Sequence, residues 1–340
     1  MIRIDVSEIK NWELIKKKHS EWYEKKILPN IKKAHTLLLS KKTKDDSIKK
    51  YKELLKKIIE RGENYVIEEE LFLGYDDDEI KNILDSIKKL KNDFKKSNLS
   101  EDYLPHKLFS YDEFPNHTGE WNRHKLLSLM EIEVCPYCQR NYISSFEEND
   151  DKRTTADLDH FYPKSLYPFL ALSLYNFIPS CQICNSRFKG TKDTYNSVYP
   201  YEESFDDLGA KFKTSKEIIY EILGEKDANF FVEIDYKNLK NKDREKVEKS
   251  IKHLGLDKVY KKSHNQYIKD LLDNIEKYPK NYLESCVEIL DEYYKDKNKK
   301  EKIIKYFIDI VKEPCRKRIE NGEPLAKLTK DILDEFKIKI

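Results

Sequence analysis

The sequence predicts an α+β fold that is predominantly α-helical, with a small cysteine-stapled strand-and-helix unit embedded between helical N- and C-terminal regions. Three observations predict it. Apolar residues recur at helical spacing through most of the 340 residues. Glycine is scarce, at 8 residues, and charged residues (38%) nearly match hydrophobic ones (39%), a balance that favours amphipathic helices. Residues 132–190 break the helical pattern and carry two Cys-x-x-Cys pairs.

The chain divides into 1–120, 121–200 and 201–340. The first region carries Ile9, Trp12, Ile15, Trp22, Ile27 and Ile31 at helical spacing over 8–40. Ile48, Tyr51, Leu54, Leu55, Ile58 and Ile59 continue the pattern over 47–61, and Ile80, Ile83, Leu84, Ile87 and Leu90 extend it further. A loop with Pro105, Pro115 and Gly119 leads to a short helix at 120–131. In the second region, Asn141–Ile143 and Thr155–Asp159 read as short strands separated by the acidic loop 147–152, and 182–189 as a brief helix. In the third, Ala210–Lys213, Ile218–Leu223 and Phe230–Ile234 read as a small sheet or extended arm. Helical patterning returns over 241–253, 258–276, 282–296, 301–319 and 327–337.

The net charge is +2 and unevenly spread: residues 1–60 hold 17 Lys+Arg against 9 Asp+Glu, residues 61–120 hold 8 against 15, and 121–190 balance at 8 and 8. No whole-protein positive field announces a nucleic-acid partner, so any such contact must be local. No apolar run approaches the ~20 residues that span a bilayer, and the opening Met-Ile-Arg-Ile-Asp-Val lacks the apolar stretch of a secretion signal. The expected compartment is the cytoplasm, without membrane association, where thiols stay reduced. Cys286 and Cys315, alone in helical patterns, read as buried structural thiols.

The pairs Cys135–Cys138 and Cys181–Cys184 supply four thiolates, the donor set of a closed tetrahedral zinc site whose role is structural. The competing reading is redox, because Cys135-Pro136-Tyr137-Cys138 matches the glutaredoxin tetrapeptide. It needs a preceding βαβ context, which is lacking, and leaves Cys181 and Cys184 unexplained. Between the pairs lies Asp159-His160. A carboxylate is a hard ligand suited to Mg²⁺ or Mn²⁺, and a neutral imidazole can take a proton from water. Adjacent strand residues face opposite ways, so both serve one site only if the strand ends there, as Pro163 suggests. Asn176 lies 16 residues beyond His160 and Asn185 9 beyond that; either can also be an ordinary cap or turn. Arg187, Lys189 and Lys164 are cations placed to meet phosphate oxygens.

From Cys135 to Lys189 this pattern resembles the HNH (ββα-metal) endonuclease family, in the subgroup with a four-cysteine zinc site. The resemblance implies phosphodiester hydrolysis in DNA, with His160 as general base and Asp159 as a ligand of the catalytic Mg²⁺ or Mn²⁺. It implies that Asn176 holds the loop and the base, and that Asn185 takes the third metal-ligand place, usually a histidine. Asp-His-Phe-Tyr-Pro-Lys-Ser, Tyr175-Asn176 and Cys-x-x-Cys-Asn are closer still to the HNH effectors of anti-phage operons of the Septu and retron-associated kind. Those act beside an ATPase subunit, which becomes the expected partner; the resemblance sets no oligomeric state. The alternative is a non-catalytic zinc-binding module for nucleic acid or protein, which the cysteines alone would satisfy and which gives Asp159, His160 and Asn176 no task.

Overall fold

Four amphipathic helices open the chain: α1 (Trp12–Lys26), α2 (Leu28–Ser40), α3 (Asp46–Arg61) and α4 (Asp77–Lys96). The computed structural model describes residues 1–114, 120–148, 151–218, 230–276 and 312–338. The pattern over 8–40 is split at Ile27, where α2 restarts with Pro29 in its first turn, a position whose N–H has no intrahelical partner anyway. On α3 the side chains of Ile48, Tyr51, Leu54, Leu55 and Ile58 are buried, one face of a 3.6-residue period. Each buried aliphatic side chain contributes about 2 kcal/mol. Gly62 ends α3 at φ 59°, a backbone region that penalises a Cβ. A reciprocal cap between Asp76 and Glu79 starts α4. A one-turn helix, α5 (Pro105–Leu108), and α6 (Arg123–Met130) follow.

Strand pairing differs from the sequence expectation. The acidic segment is not a loop between Asn141–Ile143 and Thr155–Asp159. It lies within a hairpin of β1 (Ser145–Glu148) and β2 (Asp151–Thr154), while Tyr142 makes only an isolated bridge to Val134. The strand that carries Asp159 and His160, β3 (Ala156–His160), pairs antiparallel with β4 (Phe177–Cys181). All five β4 residues are buried, so the strand shows no polar alternation, and Pro179 sits inside it. Proline is tolerated because a two-stranded ladder leaves one side of β4 without a neighbour. Residues Ile183–Lys189 follow at once as a short, wide helix of π type.

The chain forms two compact units. One comprises Arg3–Tyr137 with Tyr142–Glu203, so the motif region folds with the N-terminal helices; the other comprises Met1–Ile2, Cys138–Asn141 and Ser204–Ile340. In the second unit β5 (Lys211–Thr214) pairs with β6 (Val232–Asp235), and Phe212 packs on Tyr260 with ring centroids 4.3 Å apart. Among the described residues its helices are Phe205–Leu208, Asn241–Leu254, Leu256–Ser263, Asn265–Glu276, residues 312–320 and Ala326–Glu335. The expected helix 258–276 therefore starts earlier and breaks at His264. Buried Lys327 holds Asp206 at 2.6 Å and Asp331 at 2.9 Å, and Asp331 accepts from Phe212 N–H, tying the last helix to β5. Cys315 is half-buried, more open than expected. The expectations for 282–296, most of Ile218–Leu223, the first part of 301–319, Pro115, Gly119 and Cys286 fall outside the described residues.

Candidate active site

The loop between β3 and β4 is fixed by an unusual set of donors. The carbonyls of Phe169, Leu170, Ala171 and Leu172 accept hydrogen bonds from Tyr65 Oη–H (2.6 Å), Asn176 Nδ2 (3.0 Å), His160 Nε2 (2.9 Å) and His19 Nε2 (2.7 Å). Four consecutive peptide groups are thus satisfied by four side chains from separate elements, in a segment with no ladder of its own. Asn176 is fully buried and also spans Tyr162, accepting from its N–H at 2.7 Å and donating to its carbonyl at 3.1 Å.

These contacts define the histidines. A carbonyl only accepts, so Nε2 of His160 carries the hydrogen and Nδ1 keeps its lone pair. Among the described residues the ring's hydrogen bond is the one at Nε2, and His160 lines a cleft. Tyr111 (centroids 4.8 Å) and Phe177 (5.3 Å) pack edge-on against the ring. Burial is the main cause pulling the His160 pKa down, to about 3, against the bond to Ala171; nearby Lys164 and Lys189 add to the fall. His19 is built alike: Trp121 Nε1–H donates to its Nδ1 at 3.0 Å, which leaves Nε2–H for Leu172.

His160 ends β3, as the sequence required, and Asp159 points from the other face of the pleat. Asp159 is 3% exposed and its carboxylate doubly engaged: Tyr137 Oη–H donates to Oδ2 at 2.5 Å and Lys189 Nζ to Oδ1 at 3.1 Å. Burial raises the Asp159 pKa to about 6, with Lys189 and Tyr137 opposing that shift; burial likewise pulls Lys189 down. The sequence assigned Lys189 to phosphate. The structure places its ammonium inside, 2% exposed, on Asp159 and on the carbonyl of His160 at 2.6 Å. Asn185, half-buried on the short helix, donates from Nδ2 to Asp157 Oδ2 at 3.0 Å. Because a carboxylate offers no hydrogen, this contact fixes the amide orientation and turns Oδ1 away from Asp157.

A cleft of about 390 Å³ gathers Asp159, His160, Lys164, Asn185 and Lys189. Fully buried Asn176 and Arg187, exposed on the short helix, are not among its walls. At the far end of the β3–β4 ladder, Ala156 pairs with Cys181 while His160 pairs with Phe177. Four residue steps separate these ends, about 13 Å. The sulfurs of Cys135, Cys138, Cys181 and Cys184 lie within 4.8 Å of one another, and all four residues are buried. Tetrahedral Zn–S bonds of about 2.3 Å require sulfurs about 3.8 Å apart, so the cluster fits structural zinc and explains the second pair that a redox motif would leave idle. For a second metal, Asp159 and the Asn185 amide oxygen are hard donors at a cleft with room for the waters Mg²⁺ retains, though the Lys189 ammonium already shares Asp159. Sequence reading missed Tyr137, Asp157 and Tyr111. Only Tyr137, inside the Cys-x-x-Cys knuckle, carried a positional signal.

The chain is 34% identical over 70 residues to the Septu protein PtuB of Bacillus thuringiensis, a stretch covering 20% of this chain and 24% of that protein. The match therefore spans about a quarter of the curated relative's length. No family model matches the sequence. No solved structure matches it. Among the described residues, no helix is long and apolar enough to cross a membrane.

Proposed function

We propose that this protein is a metal-dependent endonuclease of the HNH (ββα-metal) class that hydrolyses DNA phosphodiester bonds, as the effector of an anti-phage system acting with an ATPase subunit. The observation that carries the chemistry is the convergence of Asp159, His160 and Asn185 on one cleft of a ββα unit whose other end holds four cysteines. The partial likeness to a Septu protein supports the defence context.

In this reading His160 is the general base. Its Nδ1 takes a proton from water as the water oxygen bonds to phosphorus, the P–O bond to the leaving oxygen breaks, and that oxygen is protonated from solvent. Asp159 and Asn185 would hold Mg²⁺ or Mn²⁺, which when bound neutralises charge developing on the phosphate oxygens. Asn176 holds the loop whose Ala171 carbonyl fixes the His160 tautomer. Lys164 and Arg187 are exposed and meet flanking phosphates, while Lys189 offsets the charge of buried Asp159. The helices of 1–120 contribute substrate or partner contacts.

One observation favours the non-catalytic zinc module: both Asp159 oxygens already have protein donors. Incubating the purified protein with plasmid DNA, alone and with its ATPase partner, separates the two. Cleavage that requires Mg²⁺ or Mn²⁺ and stops on chelation is expected. Stoichiometric zinc with no cleavage under either condition would favour the module.

A further inference from the structure

Two further clefts, of about 230 and 220 Å³, adjoin the one holding Asp159 and His160. Lys164 and Ser165 line all three, Tyr111 is shared by the first and second, and His106 by the second and third. The three are therefore segments of one groove. It runs from His160, past the Pro163–Lys164 turn and the start of α5, to the side of α4 that carries Lys88 and Lys91. We infer that this groove is the path of a polynucleotide backbone leading away from the scissile phosphate, an inference that rests on the nuclease reading.

Charge and rigidity support it. Lys164, Lys88, Lys91 and His106 are all exposed along the groove. Lys91 lies close enough to His106 to depress its pKa, after burial and Lys107. Among the described residues three carboxylates outside the reacting end bear on the path: Asp112 lines the middle cleft, Asp85 pairs with Lys88 at 2.9 Å, and Glu101 acts on His106 against the pull of the lysines. The Asp85–Lys88 pair is exposed on both sides, and such solvated pairs are weak, so a phosphate can displace it. Lys88 and Lys91 are three residues apart on a 20-residue helix and share one face. Lys164 is held over the Tyr111 ring at 5.1 Å, which places an aromatic face beside the first cation on the path. Cations spaced along a groove match the repeated phosphates of a polynucleotide backbone. A compact anion would need them converged.

The test measures binding of a fluorescein-labelled 30-mer DNA by anisotropy across a salt series, in the His160→Ala background with no divalent cation added. Lys88→Glu/Lys91→Glu is compared with Lys32→Glu/Lys33→Glu, the same charge change on exposed residues of α2 that line none of the clefts. Zinc content and circular dichroism confirm that each variant folds. The groove variant is expected to bind at least tenfold more weakly, with the slope of log K against log salt reduced by about 2, while the control stays within twofold of the parent. If the groove variant keeps the parental affinity and slope while the unmutated protein still cleaves, the path is wrong and the nuclease reading stands. If no version binds and the unmutated protein does not cleave, both fall.

Discussion

Asn185 stands where histidine is usual in the family that this sequence resembles, and in the proposed reading its neighbour Asp157 would orient the amide to serve there. An asparagine side chain can present either end, and the wrong end offers only hydrogens. The 3.0 Å contact with Asp157 removes that ambiguity by claiming Nδ2. Asp157→Ala is therefore expected to raise the Mn²⁺ concentration needed for half-maximal cleavage about tenfold. In an Asn185→Ala background it should add little, because both changes remove one function. Additive losses would show that Asp157 acts separately. Tyr137 poses a stability question. Tyr137→Phe leaves one oxygen of a buried carboxylate without a donor, which costs about 1–3 kcal/mol in urea unfolding with zinc content unchanged. An unchanged midpoint would mean that the Tyr137–Asp159 bond contributes nothing.

At the scale of elements, a seven-residue helix and a five-residue strand pair are too short to persist unaided. The four cysteines join the start of that helix and the end of β4 to the Cys135–Cys138 knuckle. Stripping the metal is expected to expose amides of 177–190 to hydrogen exchange while those of α3 and α4 stay protected. Equal protection with and without chelator would remove the stapling role. The long helices were legible because α3 and α4 repeat their apolar residues at 3.6-residue spacing and α4 carries a capping box. The cysteine pairs and Asp159-His160 were legible because their side chains are chemically costly. β4 was not, since a wholly buried strand containing proline shows no alternation. Nor was the clamp on residues 169–172, whose acceptors are backbone carbonyls that any sequence possesses. Lys189 was misplaced for a related reason: sequence marks a cation but not the carboxylate that draws it inward.

At the scale of the molecule, burial of neutral imidazoles ties stability to pH. His19 is fully buried, and burial holds its pKa at about 4 against an ordinary 6.5. In the unfolded chain it takes up a proton below pH 6.5. Stability is therefore complete above that pH and falls as pH drops towards 4, by up to about 3 kcal/mol for this residue. His19→Gln is expected to flatten that part of the profile in urea titrations at pH 5 and 7; an unaltered pH dependence would assign the effect elsewhere. The His19 ring also anchors the Leu172 carbonyl beside the one that orients His160, so α1 supports the proposed base across 141 positions of sequence. Everything converges on that base. The most direct measurement is divalent-dependent cleavage of duplex DNA by His160→Ala beside the unmutated protein, with zinc content measured on both. A loss of at least about 100-fold at equal zinc is expected; cleavage within twofold of the unmutated protein would rule His160 out as the base.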